Sequence, residues 1–206
     1  MRGVLIQHGS GICVPLLAAA EPWHRRYCAQ HDYESLFNYD FEPARDLHPV
    51  WNKIALLLST MHEWPAVPLM FVLDADALIV HKDVKLEDAI GTEDIGLVRG
   101  DNYVNSGFMV TRNTEKTRVF WNSVYEAGPV AQYNHGIDAR LFMMLHEESC
   151  PVTVKKLGSE WNYFERFGNG PRIVTCEKKD AHIQAWHGQD RKSVLAEMQK
   201  LLGELN

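Results

Sequence analysis

Residues 69–73, Leu-Met-Phe-Val-Leu, form the strongest strand signal of the chain, and Asp74-Ala75-Asp76 follows them directly. Apolar residues resume at once, at positions 77–80. A continuous apolar run of this length predicts a strand buried on both faces, which is typical of α/β proteins. Two carboxylates between such runs are costly to bury without a partner. The sequence therefore predicts a ligand site at the carboxyl end of a central strand.

Short apolar segments alternate with amphipathic ones along the rest of the chain. The apolar segments predict further strands at residues 3–8, 33–38, 95–99, 108–111, 152–155 and 181–186. The amphipathic segments predict helices at residues 16–31, 50–62, 114–127, 136–148 and 192–202, the third of them capped by Asn113. Strands alternating with helices are typical of an α/β sandwich. A length of 206 residues suffices for one core, so we predict a single domain over residues 1–206.

The charge and cysteine content exclude several classes of protein. The net charge is −6 and basic residues do not cluster, so nucleic acid is not an expected partner. No apolar run approaches the length of a membrane-spanning helix. The four cysteines are scattered and form no CxxC pair, which predicts reduced thiols and a cytoplasmic protein.

The two carboxylates predict a metal site. In an extended chain Asp74 and Asp76 point to the same side, and paired carboxylates suit Mg²⁺ or Mn²⁺, which in turn hold a diphosphate. His187 follows the last predicted strand, and a neutral imidazole completes such a site. Arg191 and Lys192 come soon after it and suit a phosphate. The alternatives are a polar turn for the aspartates and an ordinary histidine for His187.

Two further polar positions are candidates for contact with a ligand. Asn105-Ser106-Gly107 precedes a predicted strand, and its glycine would let a ligand approach the backbone. Asp138 opens a predicted helix, where a carboxylate also stabilises the helix dipole. A simple turn and a capping residue are the corresponding structural interpretations.

Four motifs, in this order, resemble metal-dependent glycosyltransferases of the GT-A fold, above all the α-galactosyl-, mannosyl- and xylosyltransferase group and more loosely the glycogenin-like enzymes. The motifs span roughly residues 24–192. They are His31-Asp32-Tyr33, Trp51-Asn52-Lys53, the segment from Phe71 through Asp74-Ala75-Asp76 to Ile79, and Asn105-Ser106-Gly107 followed by Arg112-Asn113 and Trp121. The resemblance implies a Rossmann-like domain with a mixed central sheet flanked by helices.

The resemblance also implies roles for individual residues. Asp74, Asp76 and His187 would hold Mn²⁺ (or Mg²⁺), and Asn105 and Asp138 would lie near the transferred sugar. The nucleotide-sugar donor would contact the remaining candidates, which are Gln7, His8, Gly9, Lys53, Ala75, Gly107, Gly188 and Lys192. The implied reaction moves a sugar from a UDP- or GDP-sugar to a hydroxyl of a glycan, glycolipid or other acceptor, with retention of configuration.

Two other functions remain open from the sequence. Asp138 is followed by Ala139 where the family carries glutamine. This departure favours the alternative of a non-catalytic nucleotide-sugar-binding module. The segment ending in Asp74-Ala75-Asp76 is also similar to the first motif of haloacid-dehalogenase-type phosphatases, in which Asp74 would be the nucleophile. That motif calls for Gly-Thr after the second aspartate, whereas this chain has Ala77-Leu78.

Overall fold

The computed structural model of the protein describes residues 1–40, 43, 47–130, 136–163, 180–186 and 190–205. It contains a six-stranded sheet and a two-stranded sheet. The strands are β1 (Gly3–His8), β2 (Tyr33–Asn38), β3 (Leu69–Asp74), β4 (Ala77–Ile79), β5 (Ile95–Arg99), β6 (Val104–Arg112), β7 (Val154–Leu157) and β8 (Ile183–Ala185). The helices are α1 (Val14–His31), α2 (Asn52–Glu63), α3 (Glu115–Ala127), α4 (Ile137–Leu145) and α5 (Arg191–Leu205).

The six-stranded sheet is mixed, with the order β2-β1-β3-β6-β5-β7. Strands β1, β2 and β3 are parallel, whereas β6 runs antiparallel to both β3 and β5. Because β6 runs opposite to its neighbours β3 and β5, it begins at the edge of the sheet where those two strands end. We call this edge, marked by His8, Asn38, Asp74 and Val104, the carboxyl edge. The predicted α/β architecture is confirmed.

Alternation along the strands separates two cores on opposite faces of the sheet. Val4, Ile6, Met70 and Val72 pack in one cluster with Trp51, which caps α2, and with residues of α2, α3 and α4. The intervening strand residues pack in a second cluster with α1 and with the β4–β8 pair; they are Leu5, Phe71 and Leu73. Because both faces are covered, the central strands read as continuous apolar runs.

The structure differs from the predictions at the beginning of β6 and at the cap of α3, and β7 lies two residues later than predicted. The strand predicted at residues 108–111 extends to Val104–Arg112. Asn105-Ser106-Gly107 is therefore part of β6, because these small polar residues pair with β5 through Asn105. Thr114, not Asn113, caps α3, since its hydroxyl accepts the Thr117 N–H at 3.3 Å. Asn113 instead donates its side-chain amide to the Trp64 carbonyl at the end of α2.

Helix α5 packs against helix α1. A third cluster joins α1, β4 and α5 through Trp23, Leu78, Val194 and Met198. Trp186 belongs to the same cluster and donates its backbone N–H to the Asp76 carbonyl at 3.1 Å. This contact brings the beginning of α5 to the carboxyl edge. No helix in the part of the chain that the structure describes is long and apolar enough to cross a bilayer.

Candidate functional site

The turn Asp74-Ala75-Asp76 lies at the carboxyl edge. Strand β3 ends at Asp74, and Ala75 and Asp76 form a turn before β4 begins. The extended geometry that we expected through these residues is therefore wrong, because β4 leaves the main sheet to pair with β8. The two carboxylates bind two different basic side chains, Lys53 for Asp74 and Arg191 for Asp76.

Lys53 ties Asp74 to the beginning of β6. Its Nζ donates to Asp74 Oδ1 at 2.7 Å, to the Ser106 carbonyl at 2.9 Å and to Ser106 Oγ at 3.1 Å. These bonds use all three donors of an ammonium group. The Lys53 side chain is only 7% exposed, so its charge acts in a poorly solvated setting. A nucleotide contact from Lys53, as predicted, would be electrostatic unless one of these bonds is exchanged.

Arg191, the first residue of α5, binds the second carboxylate. Its Nη1 donates to Asp76 Oδ2 at 2.7 Å. Burial acts to lower the pKa of Arg191, but the hydrogen bond and charge of Asp76 and the charge of Asp74 raise it. Burial raises the pKa of the Cys13 thiol. The charge of Arg191 acts to lower this pKa, and the charges of Asp76 and Asp74 act to raise it. Cys13, Asp74, Asp76 and Arg191 therefore form one electrostatic cluster.

A buried pair of side chains supports this turn from inside the protein. Gln7 and His24 are both fully buried. Gln7 Nε2 donates to the Asp74 carbonyl at 3.0 Å, and Gln7 Oε1 accepts from His24 Nδ1 at 2.6 Å. His24 Nε2 accepts the Ile79 N–H at 3.1 Å, which assigns the proton to Nδ1. The structure thus places Gln7 beneath the site, where Gln7 and His24 together fix the two ends of the segment from Asp74 to Ile79.

The two residues predicted to lie near the sugar flank Ser106. Asp138 is exposed in the first turn of α4, and its Oδ1 accepts the Ser106 N–H at 2.9 Å. Asn105 Oδ1 accepts from the Gly107 N–H at 2.7 Å and from Asn162 Nδ2 at 2.5 Å. Both bonds use the amide oxygen of Asn105, so its orientation is fixed and neither bond uses its NH₂ group.

The remaining predicted donor contacts fall into three groups. His8 ends β1 beside Asp74, and Gly9 and Ala75 are buried next to it. A Cβ at Gly9 would lie 3.1 Å from the Cys13 carbonyl and 3.2 Å from the Ala75 Cβ, so glycine permits this close approach. Gly107 is buried in β6, and Lys192 is exposed beside Arg191. His187 and Gly188 lie outside the described residues.

The oxygen ligands at this turn fit part of a divalent-cation site. Mg²⁺ and Mn²⁺ prefer hard oxygen ligands, and Asp74 and Asp76 supply them at one turn. Each carboxylate already has a cationic partner, so the protein stabilises negative charge at this position. Within the described ranges, no three histidine, cysteine or acidic residues are grouped as metal ligands. The predicted third ligand, His187, lies outside those ranges.

Comparison with known protein families identifies the family of this chain. Residues 22–152, more than half of the chain, match the galactosyl transferase GMA12/MNN10 family. The chain belongs to this family. The matched residues include α2, β3 and β6, and with them Lys53, Asp74, Asp76 and Asn105. The predicted glycosyltransferase resemblance is confirmed, and the phosphatase alternative is not favoured.

One curated relative shares part of the sequence of this chain. It is described as probable alpha-1,2-galactosyltransferase gmh1 of Schizosaccharomyces pombe (strain 972 / ATCC 24843). The two are 36% identical over 61 residues, which make up 28% of this chain. The matched stretch covers 18% of the relative's length, so this chain matches less than a fifth of it.

Solved structures of glycosyltransferases share the fold of this family member. One, described as involved in the glycosylation of the major capsid of PBCV-1, has a TM-score of 0.75 at 11% identity and covers 97% of this chain and 100% of its own. The galactosyltransferase LgtC has a TM-score of 0.54 at 13% identity, covering 98% and 96%. At these identities the likeness shows the fold alone. The expected GT-A architecture is confirmed.

Some residues of the site were not found from the sequence. Ser106 was noted only as part of a small polar trio, yet its carbonyl and hydroxyl accept from Lys53 and its backbone N–H donates to Asp138. His24 carried a detectable signal, because it lies four residues after Ala20 on the buried face of α1. That spacing marks a histidine among core positions, where a polar side chain needs a partner.

His24 predicts a pH dependence of stability. Burial lowers the pKa of His24 from 6.5 to about 3. Between these values the unfolded chain binds a proton that the folded protein excludes, so the free energy of unfolding falls as the pH falls. We expect a contribution of up to about 1.4 kcal/mol per pH unit below pH 6.5.

Urea unfolding at several pH values, compared between the wild type and His24→Gln, measures this contribution. The variant should be less stable at pH 7 but should lose less stability on acidification, so the two curves converge. Other groups titrate in both proteins and cancel in the difference. Parallel curves for the two proteins would contradict the assignment of a neutral, buried His24.

Proposed function

We propose that this chain is a glycosyltransferase that moves a sugar from a nucleotide diphosphate donor to an acceptor hydroxyl, with the carboxyl edge of the sheet as its active site. The observation that carries the proposal is the Lys53 link between Asp74 and Ser106 in a member of a galactosyl transferase family. This link joins the end of β3 to the beginning of β6. It therefore fixes the two elements whose residues face a ligand at this edge.

The charges at this edge suit the departure of a diphosphate. In the proposed reaction the bond between the sugar C1 and the diphosphate oxygen breaks, and negative charge develops on the leaving group. Lys53 and Arg191 supply preorganised positive charge at this point, which stabilises the developing anion. A divalent cation held by Asp74 and Asp76, together with His187, would add Lewis-acid stabilisation of the same oxygen.

Asn105 and Asp138 are the proposed sugar-side residues. The amide of Asn105 is oriented so that its NH₂ group can donate to a sugar hydroxyl. Asp138, exposed on α4, can accept a hydrogen bond from another sugar hydroxyl. The acceptor hydroxyl then bonds to C1 and its proton passes to the departing phosphate oxygen. Attack from the face that the phosphate leaves retains the anomeric configuration, as the family resemblance implies.

Galactose is the first sugar to test, because the curated relative is described as a galactosyltransferase. The experiment incubates the protein with UDP-galactose and a panel of other UDP- and GDP-sugars, with simple glycosides as acceptors. Each reaction is run with Mn²⁺ and with a chelator. The readouts are free nucleoside diphosphate, the glycoside product by mass spectrometry, and its anomeric configuration by NMR.

We expect one donor to give product in the presence of Mn²⁺ and little product with the chelator. Nucleotide binding with no release of nucleoside diphosphate from any donor would favour the non-catalytic binding module instead. Hydrolysis of a generic phosphomonoester that is lost in Asp74→Asn would favour the phosphatase. A product of inverted configuration would overturn the proposed stereochemistry while leaving sugar transfer intact.

A further inference from the structure

The two cations of the site are held differently. Lys53 Nζ has three acceptors and its side chain is 7% exposed. The Arg191 side chain is 34% exposed, and Asp76 Oδ2 is the one acceptor that its guanidinium contacts in the described part of the chain. Lys53 is therefore a fixed part of the framework, whereas Arg191 has one side-chain hydrogen bond within the described residues and can be displaced at smaller cost.

Arg191 binds the more enclosed carboxylate. The Asp76 side chain is 9% exposed, compared with 22% for Asp74. Its backbone is fixed, because the Asp76 carbonyl accepts the Trp186 N–H. A carboxylate so placed has little freedom to turn away from its partner, so a divalent cation would have to bind it beside the guanidinium, which holds Oδ2. Two cations on one carboxylate repel each other strongly where solvent screening is weak.

We propose that Arg191 is an internal competitor for the divalent cation at Asp76, and that it transfers to the donor diphosphate when a cation takes its place. This inference rests on the proposed function, since the diphosphate is that of the proposed donor. A planar guanidinium suits phosphate as well as carboxylate. The exposed third of the Arg191 side chain gives it room to make this exchange.

The exchange couples the two ligands. Without a nucleotide, a divalent cation must break the Arg191–Asp76 pair and leave the guanidinium without an anion. With a diphosphate present, the displaced guanidinium gains a new partner, so cation binding becomes more favourable. Thermodynamic linkage requires the reverse as well, so the cation strengthens nucleotide binding by the same factor. The site is thereby kept weak for free metal and strong for metal with donor.

Direct Mn²⁺ binding tests this exchange without any turnover. The EPR signal of free Mn²⁺ is followed during titration of the wild type, Arg191→Gln and the control Lys200→Gln, which removes a charge from an exposed position of the same helix. Without nucleotide, we expect Arg191→Gln to bind Mn²⁺ about tenfold more tightly than the wild type, because the competing charged hydrogen bond is gone. Lys200→Gln should bind as the wild type does.

The titration is repeated with saturating UDP and with saturating GDP. The nucleotide that binds should tighten Mn²⁺ binding more in the wild type than in Arg191→Gln. Adding Asp76→Asn to Arg191→Gln should abolish the gain in affinity, which assigns it to this carboxylate. Circular dichroism and the unfolding midpoint of each variant confirm that the fold is kept.

Unchanged or weaker Mn²⁺ binding by Arg191→Gln would overturn the inference, as would Mn²⁺ binding to none of the proteins. The outcome is distinguishable from that of the proposed function. If Arg191→Gln binds Mn²⁺ more tightly but no donor is turned over, the competition stands and the transferase proposal fails. If the wild type transfers sugar and the variant keeps wild-type Mn²⁺ affinity, only the competition is overturned.

Discussion

The Lys53→Met variant is expected to transfer sugar about a hundredfold more slowly than the wild type. Methionine fills a similar volume but removes the charge that lies 2.7 Å from Asp74 Oδ1. It also releases Ser106, whose carbonyl and hydroxyl both accept from Lys53. The end of β3 and the beginning of β6 then lose the side chain that links them. The rate of nucleoside diphosphate release at saturating donor measures the effect.

The same substitution should lower the free energy of unfolding by about 1–3 kcal/mol, because polar groups at the site lose their partner. Adding Asp74→Asn should recover part of this stability, since a neutral amide is less costly to leave unpaired. It should not recover the transfer rate. This separation distinguishes a role in the reaction from a role in folding alone.

Lys116→Met is the matched control for this experiment. Lys116 forms a pair of similar length with Asp94, at 2.6 Å, but it is 45% exposed and lies beside the amino end of β5. Exposed pairs contribute about 1 kcal/mol or less. Lys116→Met should therefore leave transfer unchanged. Full activity in Lys53→Met would contradict the proposed site.

The Trp186→Ala variant is expected to lose about 3–5 kcal/mol of stability, the usual cost of truncating a buried tryptophan. The side chain is 2% exposed within the cluster that joins α1, β4 and α5. Its Nε1 also donates to Glu197 Oε2 at 2.6 Å on α5. The cavity would loosen α5, which carries Arg191, from the rest of the domain.

Urea unfolding of Trp186→Ala and Trp186→Phe separates packing from hydrogen bonding at this position. The phenylalanine variant keeps most of the apolar volume and loses the bond to Glu197, so its loss of stability should be clearly smaller. Equal losses in the two variants would show that the bond to Glu197, and not the packing, holds the helix. A near-native stability of Trp186→Ala would contradict the anchoring of α5.

The sequence predicted the architecture well because its strongest signals are local. The apolar run before Asp74 could only be a buried strand, and the alternation of strands and helices followed from periodicity. The position of Asp74 at the end of that strand was also a local consequence. Asn105 and Asp138 were found as polar residues next to apolar elements. Their hydrogen bonds to the neighbouring N–H groups of Gly107 and Ser106 could not be foreseen.

The remaining features depend on contacts between distant segments. The sequence predicted Gln7 as a donor contact near the end of the first strand, and only the packing of α1 on the sheet gives it His24 as a partner. The turn at Ala75 and Asp76 is set by β8, which pairs with β4 more than a hundred residues later in the chain. An extended chain was the natural assumption until that pairing was known. Tertiary structure therefore decided which cation each carboxylate meets.

The distance along the chain between Asp76 and Arg191 has a consequence for biosynthesis. They are 115 residues apart, and α5 is the last described helix. At about 5–20 residues per second, the ribosome adds Arg191 roughly 6–23 s after Asp76. For nearly all of this interval the nascent chain has both aspartates but lacks β8, Trp186 and the guanidinium that binds Asp76. We therefore expect the arrangement of both carboxylates and their cationic partners to form only after β8 and the first residue of α5 have been synthesised, so a chain that stops before residue 183 would lack it.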